Sequence, residues 1–395
     1  MKKKILFMVS SMNIGGVEKS LLSLLSVMPK EKYDITVLTL EKKGGFLDYI
    51  PSYIKVEEAA WFKEIKPIIM ESPQKTIKKY LKENKVFKIL TFIYSYYKSK
   101  NTDNRYIYYK NILKSIPENE DEYDVAIAYA GPTEIIDAYI THKVKAKKKI
   151  GWVHFDISKH KINEKLYENL YKKFDNIFTV SNEANKKLNE IIPSTVNKSE
   201  VLLNIISKEL INEMAKEDIN FDNEFDGVKI VTVGRLSKEK GQDLAIKALA
   251  NLKKDGYKVR WYCVGEGNSR EEYESLIKDN KLEEDFILLG ATPNPYPYIK
   301  NSDIYVQTSR HEGYCLTLAE AKCLCKPIVT TNFNGAYEQL DNNINGIIVE
   351  YNEYEIYNAV KKILSNNNLK NKLIKNLIDK DINTISEINK FYSEI

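Results

Sequence analysis

Short apolar runs alternate with amphipathic segments along the first half of the chain, a pattern that predicts parallel strands joined by helices. The run Ile5–Val9 is followed by a glycine pair and by the helix-like segment Val17–Met28. Further apolar runs predict strands at Ile35–Leu40, Val125–Tyr129, Lys149–Val153, Ile177–Val180 and Val201–Leu203. This succession of strands and helices is typical of a doubly wound α/β domain.

The same alternation begins again after a polar, acidic stretch at 205–226, which we interpret as the link between two domains. Strands are predicted at Lys229–Val233, Val259–Val264, Phe286–Leu289, Ile304–Gln307 and Ile328–Thr331. Helices are predicted at Leu244–Asp255, Arg270–Asn280, Leu316–Leu324 and 354–380. We therefore expect an α/β fold whose two Rossmann-like doubly wound domains, 1–205 and 206–378, face each other across a cleft. Residues 379–395 are predicted to form a C-terminal helix that crosses back to the first domain.

Residues 63–115 interrupt the alternation and are predicted to form helices rich in lysine and aromatic residues. Two interpretations stay open. The segment is either a solvated helix face over a small core, or a basic and aromatic surface that binds an anionic membrane. The residues on which both interpretations rest are Lys75, Lys78, Lys79, Lys82, Lys85, Lys88, Phe92, Tyr94, Tyr96 and Tyr97.

Composition narrows the class of protein. A length of 395 residues fits two domains, and 43% apolar with 29% charged residues is the profile of a globular protein. A net charge of +5 argues against a dedicated nucleic-acid binder. No apolar run reaches the roughly 18 residues needed to span a bilayer. The four cysteines lack the spacing of a zinc site or a disulfide framework, which favours free thiols in a reducing cytoplasm.

The segment HEGYCLTLAE at 311–320 is the strongest chemical signal. Glu312 lies in the loop after a predicted strand, and Glu320 lies in the first turns of the next helix, so both can point into one cleft. Two glutamates alone are more often surface or capping acids, but the surrounding apolar residues favour a packed element that binds a polyhydroxyl ligand. Amides near the helix N-terminus favour phosphate or sugar oxygens, and they belong to Gly313, Tyr314, Cys315 and Leu316.

The segment GRLSKEKG at 234–241 directly follows another predicted strand. It places Arg235 and Lys240 near the mouth of the expected cleft. Two such cations can neutralise a diphosphate leaving group without a metal ion. The alternative is a solvated basic loop. The segment is not a Walker phosphate loop, because the Gly-Lys-Ser/Thr ending is absent.

Two weaker signals lie in the predicted first domain. Gly15 and Gly16 follow the first strand and can let the backbone approach a ligand. His154 ends a strand of the first domain and either caps the next helix or faces a transferred sugar.

The segment 265–270 lacks the third glycine of the dinucleotide fingerprint, which excludes a nicotinamide dehydrogenase. The single Asp-x-Asp, at 379–381, lies in a helical region, and we predict no catalytic metal.

Taken together, these segments resemble the family-4 retaining glycosyltransferases of GT-B fold that build bacterial surface polysaccharides. The second half matches in the family's order and spacing through VTVGRLSKEKG, CVGEG, NPYPYIKNSDIYVQTSRHEGYCLTLAEA, KPIVTT and NNINGIIVE. The first half matches more loosely through SSMNIGGVEKSLL, GWVHFD, FTVSNEANKKL and VLLN. Residues 60–120 show no match. Cys325 replaces the family's usual glycine before Lys326 and Pro327.

The resemblance implies a role for each matching residue. Glu312 would contact the donor sugar hydroxyls, Glu320 would hold the ribose, and Arg235 with Lys240 would neutralise the diphosphate. From the first domain, which would hold the acceptor, His154 would bind the sugar near the reacting carbon. Backbone amides at Gly15 and Gly16 would reach the donor, and Gly290 with Ala291 would lie beside the base.

The resemblance also implies the reaction. A hexosyl group would pass with retention from a nucleotide diphosphate sugar, of the UDP type, to a glycan, without a metal or other cofactor. The acceptor would be a lipid-linked oligosaccharide of capsule or surface polysaccharide synthesis. The protein would then be cytoplasmic and peripheral on the inner face of the membrane. Two alternatives stay open: a sugar phosphorylase or disaccharide synthase on the same fold, and a non-catalytic binding subunit.

Overall fold

The computed structural model describes residues 2–155, 157–159, 162–222, 224–312, 314–333, 335–379 and 385–395. The chain divides into two compact units. The first unit comprises Met1–Leu203 with Ser386–Ile395, and the second comprises Asn204–Ile385. The chain therefore passes from one unit to the other twice, and the last ten residues belong with the first unit.

The first unit alternates strands and helices. Its strands are β1 (Lys3–Val9), β2 (Tyr33–Thr39), β3 (Lys55–Glu58), β4 (Glu122–Gly131), β5 (Lys145–Val153), β6 (Asn176–Thr179) and β7 (Ser199–Val201). Its helices are α1 (Gly16–Val27), α2 (Phe62–Met70), α3 (Pro73–Lys82), α4 (Val86–Asn101), α5 (Arg105–Leu113), α6 (Glu134–Lys143), α7 (Glu164–Tyr171) and α8 (Asn182–Ile191). Short 3-10 turns lie at Leu47–Tyr49, Ile157–Lys159 and Pro193–Thr195.

The seven strands of the first unit form one parallel sheet in the order β3-β2-β1-β4-β5-β6-β7. The central strand β1 is almost fully buried from Ile5 to Val9, because helices cover both faces of the sheet. The order reverses between β1 and β4, so the loops after these two strands flank the topological switch point, the place where such sheets bind ligands.

Helices α2 to α5 are formed by the lysine-rich segment that interrupts the alternation of strands and helices. They connect the edge strand β3 to the central strand β4. Their inner faces pack on one apolar core through Ile65, Phe92 and Tyr109, which are 5% exposed or less. The outer face of α4 carries exposed apolar side chains.

The second unit also alternates helices and strands. Its strands are β8 (Val228–Val233), β9 (Val259–Val264), β10 (Phe286–Gly290), β11 (Ile304–Gln307), β12 (Ile328–Thr331) and β13 (Ile347–Val349). Its helices are α9 (Lys208–Met214), α10 (Gln242–Lys254), α11 (Arg270–Asp279), α12 (Tyr296–Lys300), α13 (Leu316–Cys323), α14 (Ala336–Gln339), α15 (Glu353–Ser365) and α16 (Asn367–Asp379).

The six strands of the second unit form a parallel sheet in the order β10-β9-β8-β11-β12-β13. Neighbouring residues of one strand face two different cores: Ile230 packs with α10 and α15, and Val231 packs with α9 and α13. This arrangement is that of a doubly wound sheet, and the order reverses between β8 and β11. The loops after these two strands therefore flank the switch point of the second unit.

The last helix, α17 (Ile385–Glu394), packs on the first unit. Phe391 is fully buried, and its ring lies 5.8 to 6.3 Å from the rings of Phe7, Trp152 and Phe178. The Lys3 side chain donates a hydrogen bond of 2.7 Å to the carbonyl of Ile395. Residues 380–384, which precede α17, are outside the described residues, and α16 ends at Asp379.

The predicted fold class, two parallel-stranded α/β domains of Rossmann-like type, is confirmed. The apolar pattern missed the edge strands β3 and β13, which are short and less completely buried. It also missed α9, because the stretch 205–226 is mostly polar. Within the described residues, no helix is long and apolar enough to cross a bilayer.

Candidate active site

Two loops meet at the switch point of the second unit. One connects β8 to α10 over residues 234–241, and the other connects β11 to α13 over residues 308–315. The amide of Arg310 donates to the carbonyl of Glu239 at 2.8 Å, and the hydroxyl of Thr308 donates to the carbonyl of Lys240 at 2.9 Å. The sheet order thus brings together the two motifs that were singled out from the sequence.

Gly241 allows this close approach. Its φ is +70°, and a Cβ at this position would lie 2.1 Å from the carbonyl oxygen of Thr308. Only glycine satisfies both the left-handed backbone and the missing space. The helix α10 begins at the next residue, so Lys240 is placed at the joint between the loop and the helix.

Lys240 and Glu312 form the charged contact at the centre of the two loops. The Lys240 Nζ lies 2.6 Å from the Glu312 Oε1, and the two side chains are only 22% and 11% exposed. Burial lowers the pKa of Lys240, but the negative charge of Glu312 and its hydrogen bond to the ammonium outweigh burial and raise the pKa above its ordinary value. The ammonium is therefore charged at neutral pH and held against a carboxylate.

A chain of buried polar groups orients Glu312. Ser309 donates to the Glu312 Oε1 at 2.8 Å, and Gln307 in turn donates to the Ser309 hydroxyl at 2.7 Å. Thr331 on the neighbouring strand donates to the carbonyl of Ser309. None of these polar residues was singled out from the sequence. Gln307 and Thr331 end strands at the same sheet edge, and this shared position is the signal that could have found them.

The predicted helix N-terminus is present at α13. Cys315 is the residue that caps it, and burial raises the pKa of its thiol well above the usual range, so the thiol is neutral. Its Sγ lies 3.7 Å from the Glu312 Oε1. Tyr314 precedes it, and Leu316 opens the helix, both half-buried. Gly313 lies outside the described residues.

Glu320 is on the second turn of α13 and is 3% exposed. Its Oε1 accepts a hydrogen bond of 3.1 Å from the Tyr296 hydroxyl, on α12. A carboxylate this deeply buried needs hydrogen-bond partners to stay charged. The structure therefore agrees with the sequence argument that Glu320 belongs to a packed element and not to the solvated surface.

Arg235 is exposed, and its backbone carbonyl accepts a hydrogen bond of 2.8 Å from Gln242. Gly290 ends β10 with a φ of +81°, and its carbonyl accepts from the amide of Gly265 at 2.8 Å. Ala291 follows and is exposed. These residues lie at the carboxyl ends of β8, β9 and β10, at the same sheet edge as Lys240.

The remaining predicted residues belong to the first unit. Gly15 caps α1 with a φ of −156°, an extended conformation that any residue adopts, and Gly16 is the first residue of that helix. His154 follows β5, and α7 is capped by Asn163. Asn163, and not His154, is therefore the cap of α7, the next α-helix.

His154 lies in an aromatic environment. Its ring stacks on Trp152 at an interplanar angle of 5° and lies 4.6 Å from the ring of Tyr129. Burial lowers the pKa of His154 to about 3, against the opposing effect of a hydrogen bond to the backbone of Tyr129. The ring is therefore neutral at physiological pH. Its Nε2 is buried and has no hydrogen-bond partner among the described residues.

The part of the chain that the structure describes contains no group of three or more histidine, cysteine, aspartate or glutamate side chains placed to hold a metal ion. All four cysteines are free. Cys325, at the position where the resemblance implies a glycine, has a φ of +52°, so it keeps the left-handed backbone that glycine adopts without strain.

Comparison with known proteins finds similarity to glycosyltransferases. Residues 215–380 match the family model described as glycosyl transferases group 1. Over 211 residues the chain is 34% identical to the N-acetylgalactosamine-N,N'-diacetylbacillosaminyl-diphospho-undecaprenol 4-alpha-N-acetylgalactosaminyltransferase of Campylobacter jejuni. The alignment covers 53% of this chain and 56% of that relative.

A second relative, the capsular polysaccharide biosynthesis glycosyltransferase CapM of Staphylococcus aureus, is 28% identical over 37% of this chain and 39% of its own length. The chain thus spans about half the length of the curated relatives it matches. Among solved structures, Anabaena HepE in complex with UDP-glucose covers 100% of both chains with a TM-score of 0.69 at 16% identity, which supports the fold. Residues 215–380, which include both switch-point loops, are therefore the part of the chain that is similar to glycosyl transferases group 1.

Proposed function

We propose that the protein is a hexosyltransferase that moves a sugar from a nucleoside diphosphate sugar, with UDP as the nucleotide, to a glycan acceptor. The observation that carries the proposal is the 2.6 Å contact of Lys240 with Glu312 at the switch point of the second unit. One loop supplies a cation for phosphate, and the other supplies a carboxylate for hydroxyl groups. Both loops lie within the part of the chain that is similar to glycosyl transferases group 1.

We assign the transfer to the family-4 retaining type. Lys240 and Arg235 would neutralise the diphosphate as the glycosidic bond breaks, while Glu312 binds sugar hydroxyls and Glu320 binds the ribose. The leaving phosphate would accept the proton of the acceptor hydroxyl, so no side chain acts as general base. Fixed cations can stabilise the leaving group, and the proposal therefore includes no metal ion and no cofactor besides the donor.

Residues of the first unit would bind the donor sugar and its phosphates. His154 is neutral, and its Nε2 has no hydrogen-bond partner among the described residues, which suits one hydrogen bond to a sugar hydroxyl and excludes proton donation by an imidazolium at neutral pH. The amides at Gly15 and Gly16 begin α1, where the helix dipole favours an anion. Gly290 and Ala291 would border the base.

We propose a lipid-linked oligosaccharide of capsule or surface polysaccharide synthesis as the acceptor. The name of the Campylobacter relative describes a diphospho-undecaprenol-linked acceptor, and that of the Staphylococcus relative describes capsular polysaccharide synthesis. An acceptor of this kind is embedded in a bilayer. The enzyme would then work from the cytoplasm at the inner face of the cell membrane.

A thermal-shift screen tests the donor. The protein is heated with UDP, GDP, ADP, dTDP or CMP, each with and without EDTA. Ligand at 100 times its dissociation constant stabilises the folded state by about 2.7 kcal/mol, which such a screen detects. We expect UDP to give the largest shift and EDTA to leave that shift unchanged. The absence of a shift with every nucleotide would contradict the proposal and favour the non-catalytic subunit.

Two further measurements test the site and the stereochemistry. A Glu312→Ala variant is expected to lose transfer, and full transfer by this variant would overturn the site assignment. Proton NMR of the first product formed from a UDP-α-sugar is expected to show an α-linkage. A β-linkage would contradict the assignment to the retaining type, although it would leave a glycosyltransferase function intact.

A further inference from the structure

The outer face of α4 carries a row of exposed apolar side chains. Phe87 is 86% exposed, and Leu90, Tyr94 and Tyr97 are 61%, 63% and 59% exposed. Their spacing of three, four and three residues places them on one side of the helix, and we call them the α4 stripe. An exposed contiguous apolar row of this kind marks a surface that contacts a partner.

The opposite side of α4 is already used for packing. Ile89 and Phe92 are buried in the apolar core of the first unit, and the rings of Phe92 and Tyr96 stack at 6.2 Å. The helix is thus held in place by one face, while none of the described residues covers the α4 stripe. The stripe is therefore a feature of a packed helix and not the result of a loose one.

The charge around the stripe is strongly positive. Residues 73–101, which form α3 and α4, contain eight lysines and one carboxylate, that of Glu83, a net charge of +7. The whole chain has a net charge of +5, so the rest of the chain is slightly negative. Seven of the eight lysines are exposed: Lys75, Lys78, Lys82, Lys85, Lys88, Lys98 and Lys100.

A cavity of about 200 Å³ opens among the helices α2, α3, α4 and α5. Ile65, Tyr80 and Phe92 contribute apolar walls, and Lys88 and Lys114 contribute cations. None of the described residues that line it is acidic. The segment 63–115 therefore combines apolar and cationic side chains both on the outer face of α4 and in this cavity.

We propose that the α4 stripe and the lysines around it dock the protein onto a bilayer that contains anionic phospholipids. Aromatic and aliphatic side chains would enter the headgroup region, and the lysines would meet the lipid phosphates. A second copy of the chain fits this surface less well, because the facing surfaces would each carry +7. The inference deepens the proposed function by naming the surface that contacts the acceptor's membrane, and it rests on that function only for the acceptor.

Vesicle flotation of the full chain tests the proposal. Vesicles of phosphatidylcholine alone are compared with vesicles that also contain phosphatidylglycerol, at low and high salt. We expect the protein to float with the anionic vesicles at low salt and to be released as salt screens the lysines. Equal flotation with neutral vesicles, or no flotation with either, would overturn the proposal.

Two sets of variants separate the apolar and cationic parts. The triple variant Phe87→Ser, Leu90→Ser, Tyr94→Ser should reduce the bound fraction about tenfold or more, since apolar burial contributes to interfacial binding. Lys78→Glu with Lys82→Glu should reduce it as strongly while keeping the stripe. The matched control is Tyr351→Ser, Tyr354→Ser, Ile378→Ser, which removes three side chains of 54 to 62% exposure from the second unit. The control should float like the parent protein.

Circular dichroism and the melting temperature of each variant establish that it is folded, which is expected because every substituted side chain is exposed. A stripe variant that floats like the parent protein would overturn the proposal. So would a dimer, seen by light scattering, that only the stripe variant dissociates. Flotation requires neither donor nor acceptor, so its failure and a failure of the proposed transferase function are distinguishable.

Discussion

Lys240 and Glu312 are 72 residues apart in the chain, yet they form a hydrogen-bonded ion pair with little solvent access. An enclosed pair of this kind is costly to break, because removal of one partner leaves a charge without compensation. In the proposed function, the Lys240 ammonium would meet the negative charge of the donor diphosphate. Lys240 is therefore the residue at which the proposed chemistry is tested most directly.

Lys240→Gln is expected to lower kcat about 100-fold to 1000-fold, by analogy with removal of one donor that stabilises developing charge. Lys238→Gln is the matched control, because this lysine lies in the same loop and its side chain is 78% exposed. The control should keep its activity. Initial rates with a UDP-sugar measure both. Unchanged kcat in Lys240→Gln would remove this residue from the proposed mechanism.

Asp137 is a fully buried carboxyl in the first unit, at the start of α6. One oxygen accepts from the amide of Thr133 at 2.9 Å, and the other has no partner among the described residues. Burial raises the pKa of Asp137 to about 8, against the opposing effect of the Thr133 amide. The carboxyl is thus neutral in the folded state at pH values where the unfolded chain has lost the proton.

The stability contributed by a carboxyl with a raised folded-state pKa is fully present below about pH 4 and is lost as pH rises towards 8. Asp137→Asn removes this dependence. The variant is expected to gain stability over the parent protein from pH 5 to pH 8, by at most about 1.4 kcal/mol per pH unit. Melting temperatures of both proteins at several pH values measure the difference. A difference that does not change with pH would contradict the assignment.

A single backbone position, Gly241, holds the loop between β8 and α10 in place. The loop between β8 and α10 approaches the carbonyl of Thr308 so closely that a Cβ at Gly241 does not fit. Gly256, after the same helix, also has a positive φ, of +82°, but a Cβ there would meet nothing within 4 Å. A comparison of alanine substitutions at the two glycines therefore distinguishes the cost of backbone strain from the cost of the missing space.

Gly256→Ala is expected to cost only the strain of a left-handed alanine, about 1–2 kcal/mol. Gly241→Ala is expected to cost more than this and to lower transfer activity as well, because the loop that carries Lys240 must move. Thermal unfolding and initial rates of the two variants are compared under one set of conditions. Equal destabilisation with full activity in both would show that the close approach at Gly241 has no consequence.

The sequence pattern of the lysine-rich segment 63–115 did not determine which of its apolar residues are exposed. Sequence alone allowed both a solvated helix face and a membrane-binding surface. The structure shows that Phe92 and Tyr96 pack inward, while Phe87 and Leu90 point to solvent. Helical periodicity identifies two faces, but only the packing of neighbouring helices determines which apolar residues remain uncovered.

At the scale of the whole molecule, the chain leaves the first unit after Leu203 and returns at Ser386. The returning helix α17 fills the aromatic core on one face of the first sheet through Phe391. The first unit is therefore built from both ends of the chain, and its stability depends on a segment more than 180 residues away from Leu203.

Phe391→Ala is expected to destabilise the first unit by about 3–5 kcal/mol, because it leaves a cavity among large aromatic side chains. Ile378→Ala is the control, since Ile378 is 59% exposed. Calorimetry should show that the transition of the unit that contains α17 moves to lower temperature. Tryptophan fluorescence should report the same transition, because Trp152 contacts Phe391. An unchanged thermogram would contradict the packing described for α17.

Much of the fold was open to prediction because the local pattern encodes burial. Strands at Val259–Val264, Ile304–Gln307 and Ile328–Thr331 have the predicted bounds, since buried parallel strands are continuous apolar runs. The edge strands β3 and β13 were missed, because β3 contains a single apolar residue, Val56, and β13 is only three residues long.

The two α/β repeats and the composition of the loops that bear Lys240 and Glu312 could be read from the sequence alone, because periodicity and motif are local properties of the chain. Tertiary structure alone decided the strand order that joins those loops and the Gln307–Ser309 hydrogen bonds that orient Glu312. It also decided the neutral state of His154. Contacts between distant residues and the pKa of a buried group depend on neighbours that only the folded chain brings together.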